Sequence, residues 1–210
     1  EKAKNINKEA AAIIKEAINE HDRVIFNGNN YSEDWIKEAK KRGLPNIASS
    51  VEAYGSMANQ SAVKLFEKYK VLSKEELHSR YEIYLEQYAK HINIEALTAI
   101  DMVKKLFIPA IIRYTRELAE TISKLKSVGA SAKIQQELLS VISDLAESAN
   151  KKLTKLQAET LKAQGISEAH HRAEAYRDKV FTAQVDLRKD IDALEQMIPA
   201  SVWPVPTYAE

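Results

Sequence analysis

The chain has 210 residues, with 31 basic and 30 acidic side chains, no cysteine, and a hydrophobic fraction of 45%. A net charge of +1 argues against a nucleic-acid surface or a polybasic membrane patch, both of which need a clustered positive excess. The absence of cysteine rules out disulfides and thiolate metal sites and suits a reducing compartment.

Five glycines and five prolines are too few for the frequent turns of an all-β fold, and no glycine pair has the spacing of a phosphate-binding loop. Their positions draw the elements. A first helix is expected over about residues 5–26, with Ile6, Ala10, Ile13, Ile14, Ala17 and Ile18 on one face. Its end falls at Asn27-Gly28-Asn29-Asn30, residue types that tolerate a helix C-terminus. Ser32 then caps a short helix with Tyr31 and Ile36 as its staple pair, and Gly43 closes it before Leu44-Pro45-Asn46. Residues 47–59 read as loop with one helical turn, and residues 61–69 as a short helix.

Ser73-Lys74-Glu75-Glu76 is a capping box flanked by Leu72 and Leu77. No glycine follows until Gly129, and the only proline between is Pro109. This predicts one long kinked helix, or two helices broken near Ile108. Gly129 with Ser131 makes a turn and a cap. A helix to about Ala163 then buries Ile134, Leu138, Val141, Leu145, Ala149, Leu153 and Leu156. Gly165-Ile166-Ser167 is the next stop and start. The last helix carries Ala173, Tyr176, Val180, Ala183, Leu187, Ile191, Leu194 and Ile198 at the same spacing. Two short connections between helices of about 45 Å or more force antiparallel neighbours. The expected fold is all-α: a long-helix antiparallel bundle, three-helix and coiled-coil-like, with a smaller helical N-terminal part.

Residues 92–112 are apolar on nearly every face and are expected to form the helix around which the others pack. They carry too many polar groups for a bilayer helix. Within them, Glu95 lies four residues after His91. Burial beside Ile92, Leu97 and Ala99 would force its carboxyl to pair or to hold its proton. Such a group can mark a site and more often marks a structural network. Asp101 with Lys104 and Lys105 is an ordinary helical ion-pair arrangement. His170-His171 with Glu174 has the spacing of metal ligands but lacks a third or fourth donor, and is read as an exposed first turn. Tyr81, Tyr84 and Tyr88 form a stripe suited to core or interface packing. No catalytic, cofactor-binding or metal residue is assigned. The residues singled out as structural or interface candidates are His91, Glu95, Asp101, Trp203 and Tyr208.

The chain opens at Glu1-Lys2-Ala3-Lys4 without an initiator Met. Its first apolar cluster is too short for a signal peptide, and it reads as a piece of a longer polypeptide. Three stretches carry a family resemblance: Phe26-Asn27-Gly28-Asn29-Asn30-Tyr31-Ser32-Glu33-Asp34-Trp35 followed by Ala39-Lys40-Lys41-Arg42-Gly43-Leu44; Ser79-Arg80-Tyr81-Glu82-Ile83 running on through Ile92-Asn93-Ile94-Glu95-Ala96-Leu97-Thr98-Ala99-Ile100-Asp101-Met102; and Trp203-Pro204-Val205-Pro206-Thr207-Tyr208. In that order they resemble the C-terminal region of type III glutamine synthetases, the large bacterial branch of that ligase family. The sequence departs from the pattern at Ala209, where glycine is expected.

The resemblance implies a parent enzyme that makes glutamine from glutamate, ammonia and ATP with Mg²⁺ or Mn²⁺, in a cytoplasmic assembly of stacked hexameric rings. The family's metal-binding glutamates and phosphate-contacting arginines lie upstream, and nothing here matches those motifs. The expected organisation is residues 1–72 as short helices joining that upstream catalytic part, 73–198 as the bundle, and 199–210 as an extended Trp/Pro tail. The competing expectation is a free-standing helical adaptor. Neither reading calls for nucleic acid or membrane.

Overall fold

Side-chain caps and backbone terminators set where the helices of this chain begin and end. The computed structural model describes residues 5–206, which divide into two units between residues 52 and 53. Among the described residues there is no strand.

In the first unit, Asn5 caps α1 (Ile6–Glu20) by accepting from the Lys8 N–H at 3.2 Å. The helix stops at Glu20, short of the expected Phe26, and a single 3₁₀ turn follows at Asp22–Val24. The Arg42 guanidinium holds the chain through and just after that turn, donating to the carbonyls of Asp22, Arg23 and Ile25. Helix α2 (Glu33–Lys41) ends as expected at Gly43, whose φ of +67° suits a residue without Cβ. Ser32 stands before this helix, but its hydroxyl donates back to the Asn29 carbonyl instead of capping. Tyr31 is 98% exposed, so the expected staple with Ile36 does not form. Phe26 packs on Trp35 instead, ring centroids 4.7 Å apart. Helix α3 (Ser50–Gly55), the one turn anticipated in this region, begins in this unit and ends in the next.

In the second unit, α4 (Gln60–Lys68) is capped by Asn59. The Ser73–Glu76 capping box is complete in both directions and opens α5 (Lys74–Met102). This helix passes through a π turn, Val103–Phe107, directly into α6 (Ile108–Ser127). The chain therefore takes the single-helix alternative, and the π turn explains how. Proline at 109 has no N–H and crowds the carbonyl one turn earlier. Widening that turn, so that the Ile108 N–H reaches the Val103 carbonyl, relieves the clash without breaking the rod.

Helix α7 (Lys133–Gln164) follows Gly129, at φ +75°. Its N-cap is Ala132, with no side-chain cap, so Ser131 does not play the expected part. Helix α8 (Ala169–Ala175) is capped by Glu168 rather than Ser167, and a second π turn, Tyr176–Phe181, leads into α9 (Thr182–Glu195).

Pairs across the bundle give the directions. Tyr81 meets His170 and Asn93 meets Tyr176, so α5 runs parallel to the rod formed by α8 and α9. Asp190 meets Ser148 and Lys152, while Asn93 meets Gln164, so α7 is antiparallel to both. All eight residues of the predicted stripe on the last helix are buried.

Two other stripes differ. Ile134 and Val141 are 77% and 45% exposed, and the inward positions there are Leu138, Leu139 and Ile142. Residues 92–112 are not enclosed on every side. Ile92, Ala96, Val103, Phe107 and Ile111 are buried, whereas Ile94, Leu97 and Ile112 are 61%, 46% and 62% exposed. Having only two helices as neighbours, a member of a three-helix bundle keeps one face in solvent, and α6 packs chiefly against α7 alone.

Candidate functional site

The most constructed part of the molecule is where the tail returns to the bundle. After Ile198, Pro199 closes a turn in which its carbonyl accepts from the Val202 and Trp203 N–H groups at 2.8 and 3.0 Å. The turn delivers Trp203 to the π turn between α5 and α6. Its ring stacks on Phe107, centroids 4.9 Å apart and planes 20° from parallel, and only 6% of the residue remains exposed. Beside this stack lies a cavity of roughly 300 Å³ lined by Met102, Val103, Leu187, Ile191 and Val205 among others. Trp203 Nε1 and Gln184 Oε1, from two residues that line it, are buried without a hydrogen-bond partner. A buried donor left unpaired costs on the order of 1–3 kcal/mol, so the apolar area of the indole carries the docking.

Deeper in the bundle, Asp190 is 8% exposed and accepts from Ser148 Oγ and Lys152 Nζ, both at 2.6 Å. This cluster ties α9 to α7. At the other end, the Tyr81 hydroxyl and His170 Nδ1 share a hydrogen bond of 2.8 Å. Burial, then Glu168 and Glu174, push the Tyr81 phenol up. Burial also raises Tyr88 and Tyr176. Glu168 caps α8 by accepting from the His171 and His170 N–H groups at 2.6 and 2.9 Å, and those bonds hold its carboxyl below the usual carboxylate range.

The remaining residues singled out from sequence fall as follows. His91 is exposed and its Nδ1 lies 2.9 Å from the Gln87 carbonyl in the preceding turn. Glu95 is exposed, so the buried-carboxyl arrangement is not formed. Asp101 is exposed and pairs with Lys105. Tyr208 lies outside the described residues. His170 and His171 face different carboxylates, Glu174 and Glu168. Among the described residues, no three His, Cys, Asp or Glu side chains converge as metal ligands. Of the tyrosine stripe, Tyr84 stacks on Tyr54 at 5.3 Å and Tyr88 packs on the core.

Sequence reasoning missed Asp190, Asn93 and the buried Thr160, whose hydroxyl donates to the Leu156 carbonyl at 2.7 Å. Each interrupts an apolar stripe at an inward position, and that was the available signal.

Residues 9–126, more than half of the chain, match the family model described as Glutamine synthetase C-terminal domain. The chain belongs to this family. Its sequence is similar to that of a glutamine synthetase of Butyrivibrio fibrisolvens, 36% identical over 200 residues. It is also similar to a type-3 glutamine synthetase of Dictyostelium discoideum, at 35%, and to a glutamine synthetase of Bacteroides fragilis, at 31%. Each alignment covers 94% of this chain but only 28–29% of the relative. The glutamine synthetase C-terminal chain therefore spans less than a third of the length of the relatives it matches. No described helix is long and apolar enough to cross a membrane.

Proposed function

We propose that the chain is the C-terminal helical region of an ATP-dependent glutamate–ammonia ligase of type III, and that it serves assembly rather than catalysis. The observation that carries this reading is the family match over residues 9–126, combined with relatives named glutamine synthetase that are more than three times as long. ATP and Mg²⁺ or Mn²⁺ act in the upstream part of such an enzyme. No described cluster of side chains here offers a divalent cation its ligands.

In this reading residues 1–72 join the upstream catalytic part, 73–198 form the bundle, and 199–210 form the tail. The partners are that catalytic part and neighbouring copies in a cytoplasmic assembly of stacked hexameric rings. The exposed strip of α5 holding His91, Ile94, Glu95, Thr98 and Asp101 suits contacts between copies. Ile94, 61% exposed, supplies the apolar centre and the polar residues supply the rim, the usual anatomy of an interface.

Two measurements test the reading. The reading frame upstream of Glu1 is expected to encode a β-rich, metal-binding half, and the whole product to form glutamine. A start codon immediately before Glu1 would decide for a free-standing adaptor. In the whole enzyme, Ile94→Glu is expected to shift the population to smaller assemblies, and an unchanged sedimentation profile would refute the assigned strip.

A further inference from the structure

Helix α1 runs for 15 residues without burying one of them. Its isoleucines are nonetheless in register: Ile6, Ile13, Ile14 and Ile18 are 75%, 65%, 59% and 50% exposed. With Ala10 and Ala17 they form an unbroken apolar stripe down one side, at the spacing of a helix that packs against something. Glu9, Glu16 and Glu20 recur along one edge of that stripe, seven and four residues apart. Lys8, Lys15 and Asn19 fall on the opposite side. Water is a poor neighbour for four isoleucines in a row, and such a continuous exposed patch marks an interaction surface.

We infer that this stripe docks on the segment that precedes it in the whole enzyme, in an apolar groove with basic side chains facing Glu9, Glu16 and Glu20. The inference rests on the reading given above, and two observations select this occupant. The chain spans only 28–29% of its relatives and matches a model described as a C-terminal domain, so most of such a protein lies before α1. Helix α1 is also the first described element. Covalent attachment gives the adjoining segment an effective concentration of about millimolar, well above that of a second copy in solution.

The test uses the absence of cysteine from this chain. Ile13→Cys and Lys15→Cys are made separately in the whole enzyme, and their thiol labelling is followed by peptide mass spectrometry. Position 13 is expected to label roughly tenfold or more slowly than position 15, since a docked face reacts only when it opens. The same pair in the 210-residue chain is expected to label at similar rates. Replacing Glu9, Glu16 and Glu20 together by Lys is expected to speed labelling at position 13 in the whole enzyme. Equal rates at both positions in an enzyme that still makes glutamine would overturn the docking while leaving the ligase reading intact. An enzyme that fails to make glutamine would instead refute the reading beneath it. Protection in the 210-residue chain that grows with concentration would assign the stripe to a second copy and would also overturn the proposal.

Discussion

Trp203 lies flat on Phe107, with ring centroids 4.9 Å apart, so the segment that follows α9 is fastened to the π turn between α5 and α6. Trp203→Ala removes that ring from a site only 6% exposed and is expected to cost about 3 kcal/mol. For a domain of this size that lowers Tm by roughly 6–12 °C. Trp203→Phe keeps a stacked ring and deletes the unpaired Nε1 donor, so its loss is expected to stay below about 1.5 kcal/mol. Thermal unfolding of both variants checks the pair, and equal losses would contradict the stacking account.

Asp190→Ala is expected to destabilise by about 2–3 kcal/mol, because it strands Lys152 and Ser148 beside a partly buried gap. Lys152 retains some access to water, its side chain being 32% exposed, which keeps the loss below that of a fully buried pair. A double-mutant cycle with Lys152→Met is expected to return a coupling of about 1 kcal/mol or more. A coupling near zero would show that the ion pair contributes nothing.

Unfolding at acid and alkaline pH follows from the shifted groups. Glu168, held down by two backbone N–H groups, and Asp178, held down by Arg177, are joined by Glu38 beside Arg42 and Asp186 beside Lys189. Their folded pKa values lie below the unfolded ones, so their stabilisation is present above the ordinary carboxylate range and is lost as pH falls through the folded values. Tyr81, Tyr88 and Tyr176 are raised by burial, so their contribution holds below the ordinary phenol range and is lost as pH rises through the folded values. Tm is expected to be flat near neutrality and to fall at both extremes. Glu168→Gln is expected to flatten the acid limb, and an unaltered limb would contradict the capping role.

The hairpin between α6 and α7 is expected to tolerate charge where the bundle does not. Ile112→Glu and Ile134→Glu replace residues 62% and 77% exposed and are expected to change stability by less than about 0.5–1 kcal/mol. Ile142→Ala, at a fully buried position, is expected to cost about 3 kcal/mol. Chemical denaturation of the three variants compares them directly.

The apolar stripe of the last helix, from Ala173 to Ile198, was legible because every one of its eight residues is buried. The stripe on α7 was legible only where α9 covers it. Towards Ile134 the third helix is gone, and periodicity alone does not say how many neighbours a face has. The same limit applies to Ile94 and Glu95, since an apolar run around Glu95 records composition and not enclosure. Capping was readable where side chains were unambiguous, as at Ser73. It was misread at Ser32 and Ser131, where a hydroxyl with another acceptor or an alanine took the position. The aromatic and proline residues of the tail signalled docking, but no local pattern pointed to the place where Trp203 lands, Phe107 in the π turn.

Those two π turns, at Val103–Phe107 and Tyr176–Phe181, bear on how related chains should be compared. Adding or deleting one residue in a regular helix rotates every later side chain by about 100° and would turn a buried seam outward. Where a wide turn has already absorbed an additional residue, the rod can gain or lose one without tearing its packing. Single-residue gaps among relatives are therefore expected inside these helices as well as in their loops. The seams before and after each turn behave as separately phased segments.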